Sequence, residues 1–96
     1  MIEYLIRPTD DEWFDLYTNH FAVALRPSSL PSHRIEGWGD WRIQSEGCDI
    51  AFSLEDPGIQ VVFEGDLSSE IADRIVDEIR RNIELATGQR GRVVRL

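Results

Sequence analysis

Isoleucine recurs at every fourth residue from Ile71 to Ile83, and no other pattern constrains the fold of this chain as strongly. Side chains four residues apart lie on one face of an α-helix, so the repeat predicts an amphipathic helix over residues 69–87. Ser68 is an N-cap residue in front of this segment, and Gly88 is a C-cap glycine behind it. A helix with one apolar face is stable only when another element covers that face.

Alternation of apolar and polar side chains marks the segments before this helix. Residues 41–45, 48–54 and 59–64 place every second side chain on one face, which is typical of half-buried strands. Turn residues separate these strands, and in the last turn we expect Pro57 to fix φ and Gly58 to supply a positive φ. The pattern predicts an antiparallel meander with one face on the core and the other largely in water.

The N-terminal third of the chain predicts a strand over residues 2–6 and then a first helix. Thr9 is the expected N-cap residue, and Glu12 is its capping-box partner. The helix is expected to end before Pro27, because the residue in front of a proline disfavours helix. The expected apolar face of this helix consists of Trp13, Phe14, Tyr17, Phe21 and Leu25.

A short strand over residues 92–96 closes the chain, so the predicted element order is β-α-β-β-β-α-β. Ninety-six residues suffice for one core, so we expect a single domain over residues 1–96. The predicted fold class is α+β, with two layers and with helices on one face of a mostly antiparallel sheet. No apolar run reaches the ~20 residues of a membrane span, the N-terminus lacks signal-peptide features, and Cys48 is the single cysteine. We therefore expect a cytoplasmic protein.

The chain carries eighteen acidic residues and ten arginines without a lysine, and its formal net charge is −8. Residues 1–70 hold fourteen of the acids and four arginines, whereas residues 71–96 hold four acids and six arginines. A negative field repels nucleic acid and anionic membranes, and it attracts a basic protein partner. We expect no nucleic-acid or membrane binding, while solubility alone also accounts for a charge of this size.

Motifs for catalysis or metal binding are weak. Cys48 begins a predicted strand without a cationic neighbour that would activate it, His20 lies near a helix end, and His33 lies in a Ser/Pro-rich loop. The chain lacks His-x-x-x-His and Cys-x-x-Cys motifs, and the helix dipole accounts for Asp10 and Asp11 without a metal. We therefore predict no catalytic residue, no metal and no cofactor, and a protein that is not an enzyme.

One cluster favours a binding function. Residues 36–41 (EGWGDW) place Trp38 between two glycines and two carboxylates. Tryptophan is enriched at interface hot spots because it offers a large contact area at a low entropic cost. We predict a partner-binding site in which Trp38 is the anchor and carboxylates from adjacent turns surround it. The predicted carboxylates are Glu36, Asp40, Glu55 and Asp56.

Residues 50–65 (IAFSLEDPGIQVVFEG) and 67–79 (LSSEIADRIVDEI) carry a resemblance to a known class of proteins. With the rest of residues 35–96, they resemble the small immunity proteins of bacterial polymorphic-toxin and contact-dependent inhibition systems. The resemblance implies a short, acidic, cytoplasmic protein without enzymatic activity. Such a protein binds a cognate toxin domain and blocks its active site, and the acidic charge favours a basic, nuclease-like toxin.

Two other functions remain open. A type III secretion chaperone is also small, acidic and α+β, but it wraps an effector segment as a homodimer, and Val62 on the outer sheet face is a weak indication of this. A small enzyme would place its site between the sheet and the loop of residues 26–34. The chain lacks the nucleophile, base and orienting residue that such an enzyme needs.

Overall fold

The computed structural model describes residues 1–10, 12–55 and 57–96, and over these residues the predicted fold class is confirmed. Helices lie against one sheet of six strands, and all neighbouring strands are antiparallel. The strands are β1 (Ile2–Pro8), β2 (His33–Arg34), β3 (Trp41–Ser45), β4 (Cys48–Glu55), β5 (Gly58–Glu64) and β6 (Gly91–Arg95). The helical segments are a 3₁₀ turn (Thr18–His20), α1 (Phe21–Ala24) and α2 (Ser69–Thr87). None of them, within the described residues, combines the length and hydropathy of a membrane span.

The strands lie in the order β2-β3-β4-β5-β1-β6. The N-terminal strand β1 is therefore interior, and both β5 and β6 are antiparallel to it. It follows that β5 and β6 run parallel to each other and that α2 connects them. The two-residue strand β2 adds one strand to the predicted order, which becomes β-α-β-β-β-β-α-β.

The core lies on one face of the sheet. The register pairs Val61 with Tyr4 on β1 and with Phe52 on β4, so these three side chains share a face. Ile59 and Phe63, which were predicted to point inward with Val61, are also buried. Both helices contribute to this same core cluster, so the opposite face of the sheet has no helix over it in the described part of the chain.

Helix α2 has the predicted bounds and the predicted caps. The Ser68 hydroxyl accepts a hydrogen bond from the backbone N–H of Ile71 at 3.3 Å, and Gly88 ends the helix in the left-handed conformation. Ile79 and its neighbours one turn away on each side are fully buried. Ile71 is 37% exposed, whereas Ala72 beside it in the first turn is fully buried. The isoleucine repeat thus identified the helix and most of its buried face.

The first predicted helix is wrong over most of its length. Residues 12–17 form no helix, and the helical segment begins only at Thr18. Thr9 is not an N-cap, since residues 12–17 are not helical; its backbone N–H donates to the carbonyl of Arg90 at 3.0 Å. The predicted apolar face is divided between core and solvent. Phe21 and Leu25 are buried, Phe14 is partly buried, and Trp13 and Tyr17 are 55% and 64% exposed.

A distant glutamine explains why this segment is not helical. Gln89 Oε1 accepts a hydrogen bond from the backbone N–H of Asp15 at 2.7 Å, and Gln89 Nε2 donates to the carbonyl of Trp13 at 2.8 Å. Phe14 and Leu16, two residues apart, pack against the core. These contacts use backbone groups that a helix would need, and Trp, Phe and Tyr have only modest helix propensity.

The connection from β4 to β5 differs from the prediction at Gly58. The φ of Gly58 is not positive. Gly58 instead pairs with Glu55 and lies so close to β1 that a β-carbon would overlap the carbonyl oxygen of Ile6. The spacing of two central strands therefore requires this glycine. Asp56 lies outside the described residues, as does Asp11.

Candidate partner-binding surface

Trp38 lies in the loop between β2 and β3, and its side chain is 50% exposed. Gly37 and Gly39 on either side have φ values of 150° and 99°. A β-carbon on Gly37 would lie 2.5 Å from Cδ of Arg42, and one on Gly39 would lie 2.9 Å from the carbonyl oxygen of Phe52. The two glycines therefore let the loop run directly against the strands, and Trp38 is the large side chain that it presents to solvent.

Arg42 lies beneath this loop on the face of the sheet without a helix, and it is only 9% exposed. Its guanidinium carbon is 5.6 Å from the centroid of the Trp38 ring. Its Nη2 forms ion pairs with Asp49 at 3.2 Å and with Glu64 at 2.5 Å. The cation nearest to Trp38 is thus the chain's own arginine, whose charge is balanced by two carboxylates.

The charges in this network stabilise each other. A hydrogen bond from Gln44 Nε2 at 3.0 Å and the Arg42 guanidinium hold the pKa of Asp49 below its usual value. Burial alone would lower the pKa of Arg42, but its ion pair with Glu64 and its hydrogen bond to Asp49 raise it. Arg42 therefore stays charged and fixes the strands beneath the Trp38 loop.

Three of the predicted carboxylates, Glu36, Asp40 and Glu55, lie at the end of the sheet where β3 begins and β4 ends. Asp40 Oδ2 accepts a hydrogen bond from the backbone N–H of Leu54 at 2.7 Å, which joins the Trp38 loop to β4. Glu55 follows Leu54, and both Glu36 and Glu55 are exposed. Asp40 thus has a structural role, whereas Glu36 and Glu55 present their carboxylates to solvent. Asp56, the fourth predicted carboxylate, is outside the described residues.

An apolar pocket opens at the same end of the sheet and has a volume of about 110 Å³. Two of its large side chains are well exposed: Trp13 at 55% and Leu54 at 45%. Exposed acids flank Trp13 along the chain, at Glu12 and Asp15. The pocket is lined by Trp13, Phe14, Leu16, Leu54, Gly58 and Ile59.

We call this whole region the acidic end. It consists of the apolar pocket together with Glu12, Asp15, Glu36, Trp38, Asp40 and Glu55. Because Leu54 and Glu55 point to opposite faces of β4, the pocket and Trp38 lie on the two sides of one sheet end.

The pocket was not predicted, because the spacing of the aromatic residues places Trp13 on a buried helix face. The missed signal was a two-residue alternation, in which Phe14 and Leu16 point inward while Trp13, Asp15 and Tyr17 are exposed. Five residues are too few to distinguish this two-residue alternation from the spacing of a helix face, because the same aromatic side chains fit both patterns.

The side chains weighed for catalysis lie apart. His20 Nδ1 accepts a hydrogen bond from the backbone N–H of Tyr17 at 3.1 Å, and His33 is exposed on the edge strand β2. Cys48 is buried, and burial raises the pKa of its thiol, as do the charges of Asp49 and Glu64. The cysteine is therefore held as a thiol rather than as a reactive thiolate. Among the residues that the structure describes, no three His, Cys, Asp or Glu side chains form a group that could hold a metal ion.

Comparisons with protein-family models, with curated proteins and with solved structures found no match for this chain.

Proposed function

We propose that this chain is an immunity-type binding protein, which acts in the cytoplasm and neutralises a cognate bacterial toxin by covering its active site. The observation that carries the proposal is the position of the apolar pocket. It opens at the same sheet end as Trp38 and the exposed carboxylates of Glu36 and Glu55. An apolar pocket whose Trp13 is flanked by the exposed acids Glu12 and Asp15 fits a partner that presents an apolar side chain among basic ones.

Each part of the acidic end has a distinct task in this proposal. Trp13 and Leu54 contribute desolvated apolar area, which supplies most of the affinity at interface hot spots. Glu36 and Glu55 attract a basic partner during encounter, and this attraction raises the association rate more than the affinity. A nuclease domain fits the partner's chemistry, because a protein that binds phosphates carries a basic active site.

The acidic end is also held in place before any partner binds. Gln89 tethers the backbone on both sides of Phe14, and Asp40 tethers the Trp38 loop to β4. A preorganised surface loses little conformational entropy on binding. This supports an inhibitor that occupies its target as a rigid body and transforms nothing itself.

The first experiment identifies the partner. The full chain is used as bait at low salt in an extract of its native cell, and each captured protein is then expressed alone. We expect a basic protein that is toxic alone and harmless when co-expressed with this chain. Capture of no basic protein, or of one without toxicity, would contradict the proposal. A stable homodimer that holds an extended segment of its partner would favour the secretion chaperone instead.

The second experiment tests the acidic end itself. Replacing Glu36 and Glu55 with glutamine is expected to slow association several-fold at low salt, with less effect at high salt, where the Debye length is shorter. Asp66→Asn with Glu70→Gln is the matched control, because it removes the same charge from exposed acids at the start of α2. Trp13→Ala is expected to speed dissociation about tenfold. Equal effects of the two charge changes would show that net charge, and not this surface, guides the partner.

A further inference from the structure

A second cavity, of about 200 Å³, lies between α1 and the β2–β3 hairpin. It shares no lining residue with the pocket of the acidic end. Among the described residues no carboxylate lines it, although the chain as a whole carries eighteen acids. The lining residues are Ala22, Leu25, Arg26, Ser32, His33, Arg34, Trp41 and Ile43.

The arginines at this cavity are not held by acidic side chains in the described part of the chain. Arg42 and the arginines of α2 each form ion pairs with acidic side chains. Arg26 and Arg34 form no ion pair with any acid of the described residues. Two exposed arginines beside an apolar hollow are therefore available to a ligand, and they make the local charge positive within a negative protein.

Arg34 is also held in a defined position. Its guanidinium carbon lies 3.9 Å from the centroid of the Trp41 ring, so the cation stacks on the indole. Phe21 packs edge-on against the same indole, with ring centroids 5.7 Å apart. Because Trp41 is fixed by α1, the donors of Arg34 are presented at the cavity wall without a large loss of side-chain entropy on binding.

The loop that forms the other wall is tied to its surroundings. The backbone N–H groups of Ser28 and Ser29 donate to one carboxylate oxygen of Glu78, at 2.8 Å and 2.9 Å. Asn82 Nδ2 donates to the carbonyl of Arg26 at 2.9 Å, and the Ser45 hydroxyl donates to the carbonyl of Pro31 at 2.8 Å. The cavity is thus bounded by fixed elements on each side.

From this arrangement we infer that the cavity binds a small organic anion, namely a carboxylate on a flat apolar body about the size of benzoate. A guanidinium presents two parallel N–H donors that match the two oxygens of a carboxylate. Leu25, Ile43 and Trp41 supply apolar surface for the rest of the ligand. The volume is suitable, since an enclosed apolar cavity of about 150 Å³ is enough for benzene.

The cavity attracts an anion in spite of the net charge of −8. At physiological salt the Debye length is about 8 Å, so exposed acids farther away are largely screened from the ligand. The attraction between the ligand's carboxylate and a guanidinium in direct contact with it is much less screened.

The experiment is an NMR titration of the full chain with benzoate, followed at the indole N–H of Trp41 and at the backbone of β2. Benzamide serves as the uncharged ligand of the same shape, and inorganic phosphate serves as the anion without an apolar body. We expect saturable shifts with benzoate, and affinities for benzamide and phosphate that are weaker by roughly tenfold or more. Benzoate shifts that do not saturate, or equal binding of either comparison ligand, would overturn the inference.

Two variants test the assigned arginine. Arg34→Gln is expected to weaken benzoate binding about tenfold or more. Arg34→Lys should retain part of the affinity, because lysine keeps the positive charge but lacks the two parallel N–H donors of the guanidinium. Arg81→Gln is the control, because Arg81 is exposed on α2 outside the cavity. Thermal denaturation shows whether each variant is folded. A folded Arg34→Gln protein that binds benzoate as tightly as the wild type would refute the site.

Discussion

Replacing Gly58 with alanine places one methyl group between two central strands. An ideal β-carbon on Gly58 would lie 2.9 Å from Cα of Arg7 and would overlap the carbonyl oxygen of Ile6. Both obstacles are backbone atoms of β1, so no side-chain rotation relieves the contact. The strands would have to separate there by roughly 1 Å, which a close-packed core resists.

The cost of this separation follows from two contributions. Overpacking typically costs about 1–3 kcal/mol, and each weakened hydrogen bond of the β1–β5 ladder adds about 1 kcal/mol. With one ladder hydrogen bond weakened, we expect Gly58→Ala to lower the free energy of unfolding by about 2–4 kcal/mol. A 96-residue domain has about 5–14 kcal/mol in total, so the melting temperature should fall by roughly 10–30 °C.

Gly47→Ala is the matched control for this substitution. Gly47 has a φ of 71° in the β3–β4 turn, and a β-carbon there would meet no atom within 4 Å. Its alanine variant is strained without a clash, at a cost of about 1 kcal/mol. Both variants are compared by urea denaturation. If Gly58→Ala destabilises the protein no more than Gly47→Ala does, the close approach of β1 and β5 is not what requires glycine.

Three further predictions concern the core and α2. Ile79 is fully buried, so Ile79→Ala should lower the free energy of unfolding in urea by about 2–5 kcal/mol, and a loss below 1 kcal/mol would place it outside the core. Ser68→Ala removes the hydrogen bond to the N–H of Ile71 and should cost about 1 kcal/mol, measured in the same way, whereas Ser68→Asp should retain the cap. Burial and the hydrogen bond to Asp73 raise the pKa of Tyr4 to about 12. Because this folded-state pKa exceeds the unfolded value of about 10, the stabilising effect is complete below pH ~10 and is lost as the pH rises through about 12. A near-ultraviolet titration of the wild type and Tyr4→Phe checks this, and a Tyr4 transition close to pH ~10 would contradict it.

The sequence pattern was sufficient to predict an element and its buried face where the apolar residues fit only one type of secondary structure. The isoleucine repeat runs through more than three turns, and the caps at Ser68 and Gly88 mark both ends of α2. The alternation over β5 likewise identified its buried face. In each case the apolar side chains recur over a stretch long enough to exclude the other type of secondary structure.

Residues 12–17 show where local reasoning fails. Their aromatic side chains are consistent both with a helix face and with an alternating segment. The choice between them depends on Gln89, which lies 74 residues beyond Asp15 in the chain and hydrogen-bonds its backbone. An error in this one segment hid the exposure of Trp13, and with it the apolar pocket of the acidic end.

For the candidate site too, some features were predictable from the sequence and others were visible only in the structure. The meander register was enough to predict that the carboxylates of Glu36, Asp40 and Glu55 belong to neighbouring turns. Sequence alone could not show that Asp40 ties its loop to Leu54, or that Arg42 occupies the space beneath Trp38. These contacts depend on distances across strands that no periodicity encodes.

By itself the sequence determined the α+β class, helix α2, the meander and the acidic charge, because each depends on residues close together in the chain. The tertiary structure decided that β1 lies between β5 and β6, that residues 12–17 are not helical, and that two cavities of different character open on the fold. Each of those outcomes depends on contacts between residues far apart in sequence, whose free energies are settled only when the whole chain has packed.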